Sequence, residues 1–244
     1  MEILKMGREE LLNLKPEDIS RFLTPEEILH IAEIFGAWWA YDYEAARQGR
    51  VGMHAQLKSG LCSDGFFVSK ILLASESIRL IFSNQMAKLL KPVFEKLGKT
   101  DWIVGVPDGA TVLGENIGIF FGINVAKMKK VDGKIFLITS VGFGETITVV
   151  EDFCTRGTGF SEAVRAIKTK QPMAIVSPYD PVILNRGDLT NFDVGHETFR
   201  ILPIVNWRVK DWEPSGCPLC EMGSIPIKPK ETDENWLKLI NSQK

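Results

Sequence analysis

The residues with the clearest chemical content lie in 147–159, Ile-Thr-Val-Val-Glu-Asp-Phe-Cys-Thr-Arg-Gly-Thr-Gly. An apolar, β-branched run ends in two adjacent acids, Glu151 and Asp152. A small polar turn follows, and a helical pattern begins at Ser161. A buried strand that stops at a carboxylate pair sets those acids at the carboxyl edge of a sheet, where open α/β folds bind ligands. The turn Thr155-Arg156-Gly157-Thr158-Gly159 then offers backbone N–H groups and two hydroxyls at a helix N-terminus, which together make an anion site. Acids beside a phosphate cradle call for a ligand that brings hydroxyls or a cation as well as phosphate. A sugar phosphate with a ribose diol and bound Mg²⁺ meets both demands.

In type and order the stretch resembles the ribose-phosphate motif of the type I phosphoribosyltransferases. The resemblance implies that Glu151 and Asp152 hold the ribose hydroxyls of phosphoribosyl pyrophosphate (PRPP). It also implies that Thr155, Arg156, Gly157, Thr158 and Gly159 grip the 5-phosphate, with Mg²⁺ as cofactor. The implied fold is α/β, a mainly parallel central sheet flanked by helices, with a small hood subdomain.

Other segments fit that frame. Asp101–Val106 reads as a short buried strand running into Pro107-Asp108-Gly109-Ala110 and then a helix, the βα unit of a parallel sheet. In the family this loop meets pyrophosphate, with Asp108 and Gly109 as the implied contacts. The runs 124–130 and 134–139 flank Asp132-Gly133, a strong hairpin signal. A hairpin here resembles the family's mobile catalytic loop, and Lys127, Lys129 and Lys130 are its implied cations, with Lys134 close by. The arginine and histidine usual in that loop are missing, and lysine lacks the bidentate fork of arginine.

The segment Leu57-Lys58-Ser59-Gly60-Leu61-Cys62-Ser63, followed by Phe66 and Phe67, resembles the N-terminal signature of orotate phosphoribosyltransferases. It implies Lys58 as a PRPP contact and both phenylalanines as lining for the base pocket. Many relatives have His where this chain has Cys62. Arg186, at the end of the apolar run 181–184, matches an arginine that contacts orotate in the family, although Asn185 replaces the usual Asp. The Cys-Pro-Leu-Cys tail at 217–220 resembles one branch of these enzymes. A single C-x-x-C supplies two of the four ligands that structural zinc needs, so no metal is expected to be bound by direct protein ligation.

The elements that must position these groups are legible in outline. Thr24-Pro25-Glu26-Glu27 combines an N-cap Thr, Pro at the first helical position and Glu for a capping box. A helix is expected from there to about Gly36, and another over 75–98. Trp38, Trp39, Tyr41 and Tyr43 read as an aromatic patch fixing a peripheral helix to the core. The expected organisation is an N-terminal extension at 1–23 and one catalytic domain at 24–230. The hood would come from about 24–70 plus C-terminal segments, and 231–244 would be a polar tail.

The net charge of −2 in 244 residues gives no long-range pull toward nucleic acid. No apolar run approaches the roughly 20 residues that span a bilayer. The expectation is a cytoplasmic homodimer that joins PRPP to orotate, with neither nucleic acid nor membrane as partner. The alternatives are transfer to another nucleobase, or a PRPP-sensing regulator without turnover.

Overall fold

The computed structural model describes residues 2–244. The chain forms two compact units, one comprising the segment up to Ile28 together with Leu73–Arg208, the other Leu29–Leu72 with Val209–Lys244.

The first unit is built on strands that are apolar on both faces, the pattern of a covered parallel sheet. Trp102–Gly105 pairs in parallel with Asn124–Val125 on one side and Thr146–Val150 on the other. Thr146–Val150 pairs in parallel with Ile175–Val176. The ladder continues past Val150, since Glu151 N–H donates to Pro181 O and Ile183 N–H donates to Asp152 O. Phe153–Cys154 then lies parallel to Leu184–Asn185. Tyr179–Asn185 runs parallel to Glu197–Asn206, whose other edge carries the antiparallel strand Asn191–Val194. The expected mainly parallel α/β architecture is therefore present.

The helix Thr158–Lys170 buries Phe160, Ala163, Val164 and Ile167 in a cluster with Val104, Val149 and Val176. The helices Glu76–Leu97 and Thr111–Phe121 pack on each other. The capping box at Thr24 forms as the sequence predicts: Glu27 N–H donates to Thr24 Oγ1, and Thr24 N–H donates to Glu27 Oε2.

Two boundaries differ from expectation. Residues 2–23 are part of the first unit rather than an extension, because Ile3, Leu11, Leu14 and Ile19 are all buried. The C-terminal segment is no loose tail either. Thr232 caps the helix Asp233–Asn241 by accepting from Asn235 N–H, and Trp236 and Leu239 are buried.

In the second unit, Trp38–Ala40 pairs antiparallel with Gly65–Phe67, so Trp38 and Trp39 lie in a strand while Tyr43 opens the helix Tyr43–Arg47. Met53–Gln56 pairs antiparallel with Cys62–Ser63 and in parallel with Ile225–Ile227. Trp39, Tyr41, Phe66, Trp236 and Leu239 share one core cluster. His54, Cys62, Cys217 and Cys220 converge in the same unit. The two-ligand reading of the C-x-x-C is thereby corrected, because strand pairing brings two further donors to it.

Candidate functional site

The central strand Thr146–Val150 delivers Glu151 and Asp152 to the carboxyl edge of the sheet, but it does not present them as a pair. Successive side chains leave an extended chain in opposite directions. Asp152 stays partly exposed and turns toward Gly109. Any Cβ at Gly109 would overlap the Asp152 carboxylate, so the loop after Trp102–Gly105 and the loop after the central strand meet in direct contact. Asp152 Oδ1 also accepts its neighbour's N–H, from Phe153, at 2.8 Å.

Glu151 is buried instead. Its carboxylate accepts from the backbone N–H of Phe160, in the first turn of the Thr158–Lys170 helix, and a Cβ at Gly159 would overlap Oε1. Oε2 is fully covered and has no hydrogen-bond partner. The expectation that Glu151 touches the ribose directly is corrected: it braces the cradle helix from inside. Beside it lies Asp180, 0% exposed, whose carboxylate oxygens meet no partner among the described residues apart from the adjacent Cys154 thiol. Burial, with Asp180 and Asp152 nearby, pushes the Glu151 carboxyl well above its usual range. Burial and the charge of Asp152 push Asp180 up to about 8. The Cys154 thiol completes this buried group and is raised by the same causes. Two ionised carboxylates so enclosed would be very costly, so near neutral pH the protonated forms prevail.

The Thr155–Gly159 turn is accessible. Arg156 and Thr158 are exposed, and Thr155 and Gly159 are partly so. Gly157 adopts φ 66° as the residue before the helix, a left-handed conformation that glycine takes without strain. The Phe192 ring lies where its side chain would be. The backbone N–H groups of the first helical turn point out of the cradle end, as at any helix start.

Arg186 is placed beside this loop. Its Nε donates to Thr155 Oγ1 at 3.0 Å, and its backbone N–H donates to Cys154 O. Gly187 packs so closely on the Thr155 carbonyl that no side chain would fit between them. Arg186, the expected base contact, is thus tied to the Thr155–Gly159 turn through its Nε.

The lysine hairpin forms as predicted, Met128–Val131 against Lys134–Leu137, with Asp132 at φ 48° and Gly133 at φ 79°. Positive φ at both central residues is the type I′ geometry that suits the twist of a hairpin. Lys127, Lys129, Lys130 and Lys134 are all exposed, while Met128, Ile135 and Leu137 join the core cluster of the cradle helix. Lys170 Nζ donates to Leu137 O. The alternating apolar residues of the hairpin bury one of its faces. Asp108 is exposed beside Gly109, and the Pro107–Asp108 peptide is cis.

Lys58, Phe66 and Phe67 belong to the second unit. Lys58 is exposed in the turn between Met53–Gln56 and Cys62–Ser63. Phe66 and Phe67 are 8% and 3% exposed, packed against Trp236 and Trp38 respectively. Both rings, expected as base-pocket lining, are buried in that unit, and Phe66 belongs to its core cluster. Asp180 was missed by sequence reasoning. An acid inside the apolar run 179–184 is the signal that could have found it.

No family model matches the chain. It is 25% identical over 179 residues to the orotate phosphoribosyltransferase of Caldanaerobacter subterraneus, which covers 72% of this chain and 87% of the relative. The chain is similar in sequence to orotate phosphoribosyltransferases over 72% of its length. The orotate phosphoribosyltransferase of Heliobacterium modesticaldum is 26% identical over 178 residues, covering 72% of this chain and 88% of that protein. Among solved structures, orotate phosphoribosyltransferase from Aeropyrum pernix superposes with a TM-score of 0.49 at 16% identity, covering 72% of this chain and 92% of the other. The mainly parallel sheet and its flanking helices agree with the type I phosphoribosyltransferase architecture implied by the resemblance.

Proposed function

We propose that this protein is an enzyme that transfers the phosphoribosyl group of PRPP to orotate, releasing pyrophosphate and forming orotidine 5-monophosphate. The observation that carries the reading is the close approach of the Asp152 carboxylate to Gly109, just ahead in the chain of the Thr155–Gly159 turn that opens the Thr158–Lys170 helix. The turn and the helix N-terminus receive the 5-phosphate through N–H groups and the Thr155 and Thr158 hydroxyls. Arg186 brings a permanent positive charge to the same loop. Asp152 accepts from the ribose hydroxyls and fixes the ring, while Glu151 holds the cradle helix in register behind it.

The transition state of such a transfer has oxocarbenium character at ribose C1, so catalysis rests on positioning and charge stabilisation. Exposed lysines of the 128–137 hairpin are candidates to neutralise the departing pyrophosphate. Mg²⁺ suits the hard oxygen donors Asp152 and Asp108, and when bound it would neutralise pyrophosphate charge. The enzyme acts as a homodimer in the cytoplasm.

The test is a panel of bases incubated with PRPP and Mg²⁺, followed by pyrophosphate release and product mass. Nucleotide formation with orotate supports the reading, and turnover with a purine instead reassigns the base. PRPP binding with no product from any base would leave a sensor in place of an enzyme.

A further inference from the structure

The second unit contains a group of side chains that the proposed transfer does not use. His54 leaves the strand Met53–Gln56, and Cys62 leaves its antiparallel partner Cys62–Ser63, in which Cys62 pairs with Gln56. Cys217 caps the short helix Pro218–Glu221, and Cys220 lies within it. Their ligand atoms all lie within 4.8 Å of one another. His54 and Cys62 are 0% exposed and Cys217 is 1% exposed. We propose that His54, Cys62, Cys217 and Cys220 bind one zinc ion as a closed, structural Cys₃His site.

Three observations support four ligands around one ion. The first is metric. A tetrahedral ion with Zn–S of about 2.3 Å and Zn–N of about 2.0–2.1 Å has S···S edges of about 3.8 Å and S···N edges of about 3.6 Å. Cys62 Sγ lies 3.8 Å from Cys220 Sγ, and His54 Nε2 lies 3.8 Å from Cys217 Sγ and 3.5 Å from Cys220 Sγ.

The second is the orientation of the imidazole. Ser224 Oγ donates to Gly52 O at 3.3 Å and sits 2.9 Å from His54 Nδ1. With its hydroxyl proton committed, Ser224 accepts from Nδ1–H, which leaves the Nε2 lone pair aimed among the sulfurs. A ring nitrogen fixed by a hydrogen bond to its other nitrogen is the usual support of a metal-bound histidine.

The third is the place in the fold. The four donors come from two distant chain segments, with 158, 163 and 166 residues between the pairs in contact, and the unit is assembled from two separate stretches. A small unit of this kind gains much from a metal clip, because metal affinity is then folding free energy. With four protein ligands no coordination position is left for substrate, so the role is structural.

The test uses the full chain, purified without chelator, with metal measured by inductively coupled plasma mass spectrometry. About one zinc per chain is expected. Replacing zinc with Co²⁺ should produce the visible bands of tetrahedral cobalt and the ultraviolet charge transfer of cobalt–thiolate bonds. The double substitution Cys217→Ser with Cys220→Ser should abolish the stoichiometric zinc, whereas Cys62→His, which exchanges a thiolate for an imidazole ligand and gives a Cys₂His₂ set, should retain it. The wild-type cobalt spectrum stands independently if the double variant fails to fold. Reduced wild-type chain that carries no zinc and takes up neither Zn²⁺ nor Co²⁺ on titration would overturn the proposal, as would iron in its place.

Discussion

Asp180→Asn is the sharpest probe of the acid cluster behind the phosphate loop. Asp180 is wholly buried, its two carboxylate oxygens meet no partner among the described residues apart from the Cys154 thiol, and its pKa stands at about 8 against an ordinary 3.8. Below about pH 4 the group is protonated in both the folded and unfolded states and contributes no pH dependence. Between about 4 and 8 the unfolded chain releases the proton while the folded chain keeps it. The folded state then holds more protons, and stability falls as pH rises.

The slope is about 1.4 kcal/mol per pH unit for one proton, roughly 6 kcal/mol across the whole window. An amide in the same place has no proton to lose. Its own cost, a buried polar group without a partner, does not vary with pH. The difference in unfolding free energy between Asp180→Asn and wild type should therefore move in favour of the variant by about 3 kcal/mol from pH 5 to pH 7. Urea unfolding of both full-length proteins at several pH values, with equal m-values, reads this directly. Parallel stability curves would refute the assignment of a neutral, buried Asp180.

The remaining predictions concern the same unit and its partner segment. Glu151→Gln keeps an acceptor for Phe160 N–H and should hold kcat within about tenfold of wild type, since Glu151 acts from behind the cradle; a loss as large as that of Asp152→Asn would restore it as a direct ribose contact. The KM for PRPP should rise above about pH 8, where Asp180 ionises behind the loop, and pH profiles of Asp180→Asn should flatten that rise. Gly157→Ala places a side chain at φ 66° against the Phe192 ring and should cost about 1–2 kcal/mol while raising the KM for PRPP. Trp236→Ala removes a buried ring whose Nε1 donates to Gly36 O, and should destabilise the chain by roughly 3–5 kcal/mol in thermal unfolding; an unchanged midpoint would return the C-terminal helix to the status of a loose tail.

Local signals in the sequence carried the parts of this fold that depend on neighbours in the chain. Asp132-Gly133 dictates its hairpin because only a few residue types accept two positive φ angles in succession. Thr24 with Glu27 announces the start of a helix, and the run 146–150 with its acid pair and glycine turn announces the strand and cradle. The C-terminal helix was equally local, with Thr232 as N-cap and Trp236 and Leu239 on one face, but charged neighbours hid its short apolar stripe.

What the sequence did not reveal depends on pairing between distant strands. Asp180 reaches Glu151 only because their strands are adjacent in the sheet. His54 and Cys62 join Cys217 and Cys220 only because strand pairing and the chain's return at Val209 bring them together. The division of labour between Glu151 and Asp152 was likewise invisible, since two adjacent acids read alike until the strand sends them to opposite faces.

Orotate consumption in the presence of PRPP and Mg²⁺, compared between wild type and Asp152→Asn, tests the central claim most directly. The account predicts turnover by the wild type and a fall of at least about a hundredfold in kcat/KM for the variant, with unchanged thermal unfolding. Wild-type turnover that survives intact in Asp152→Asn would contradict it.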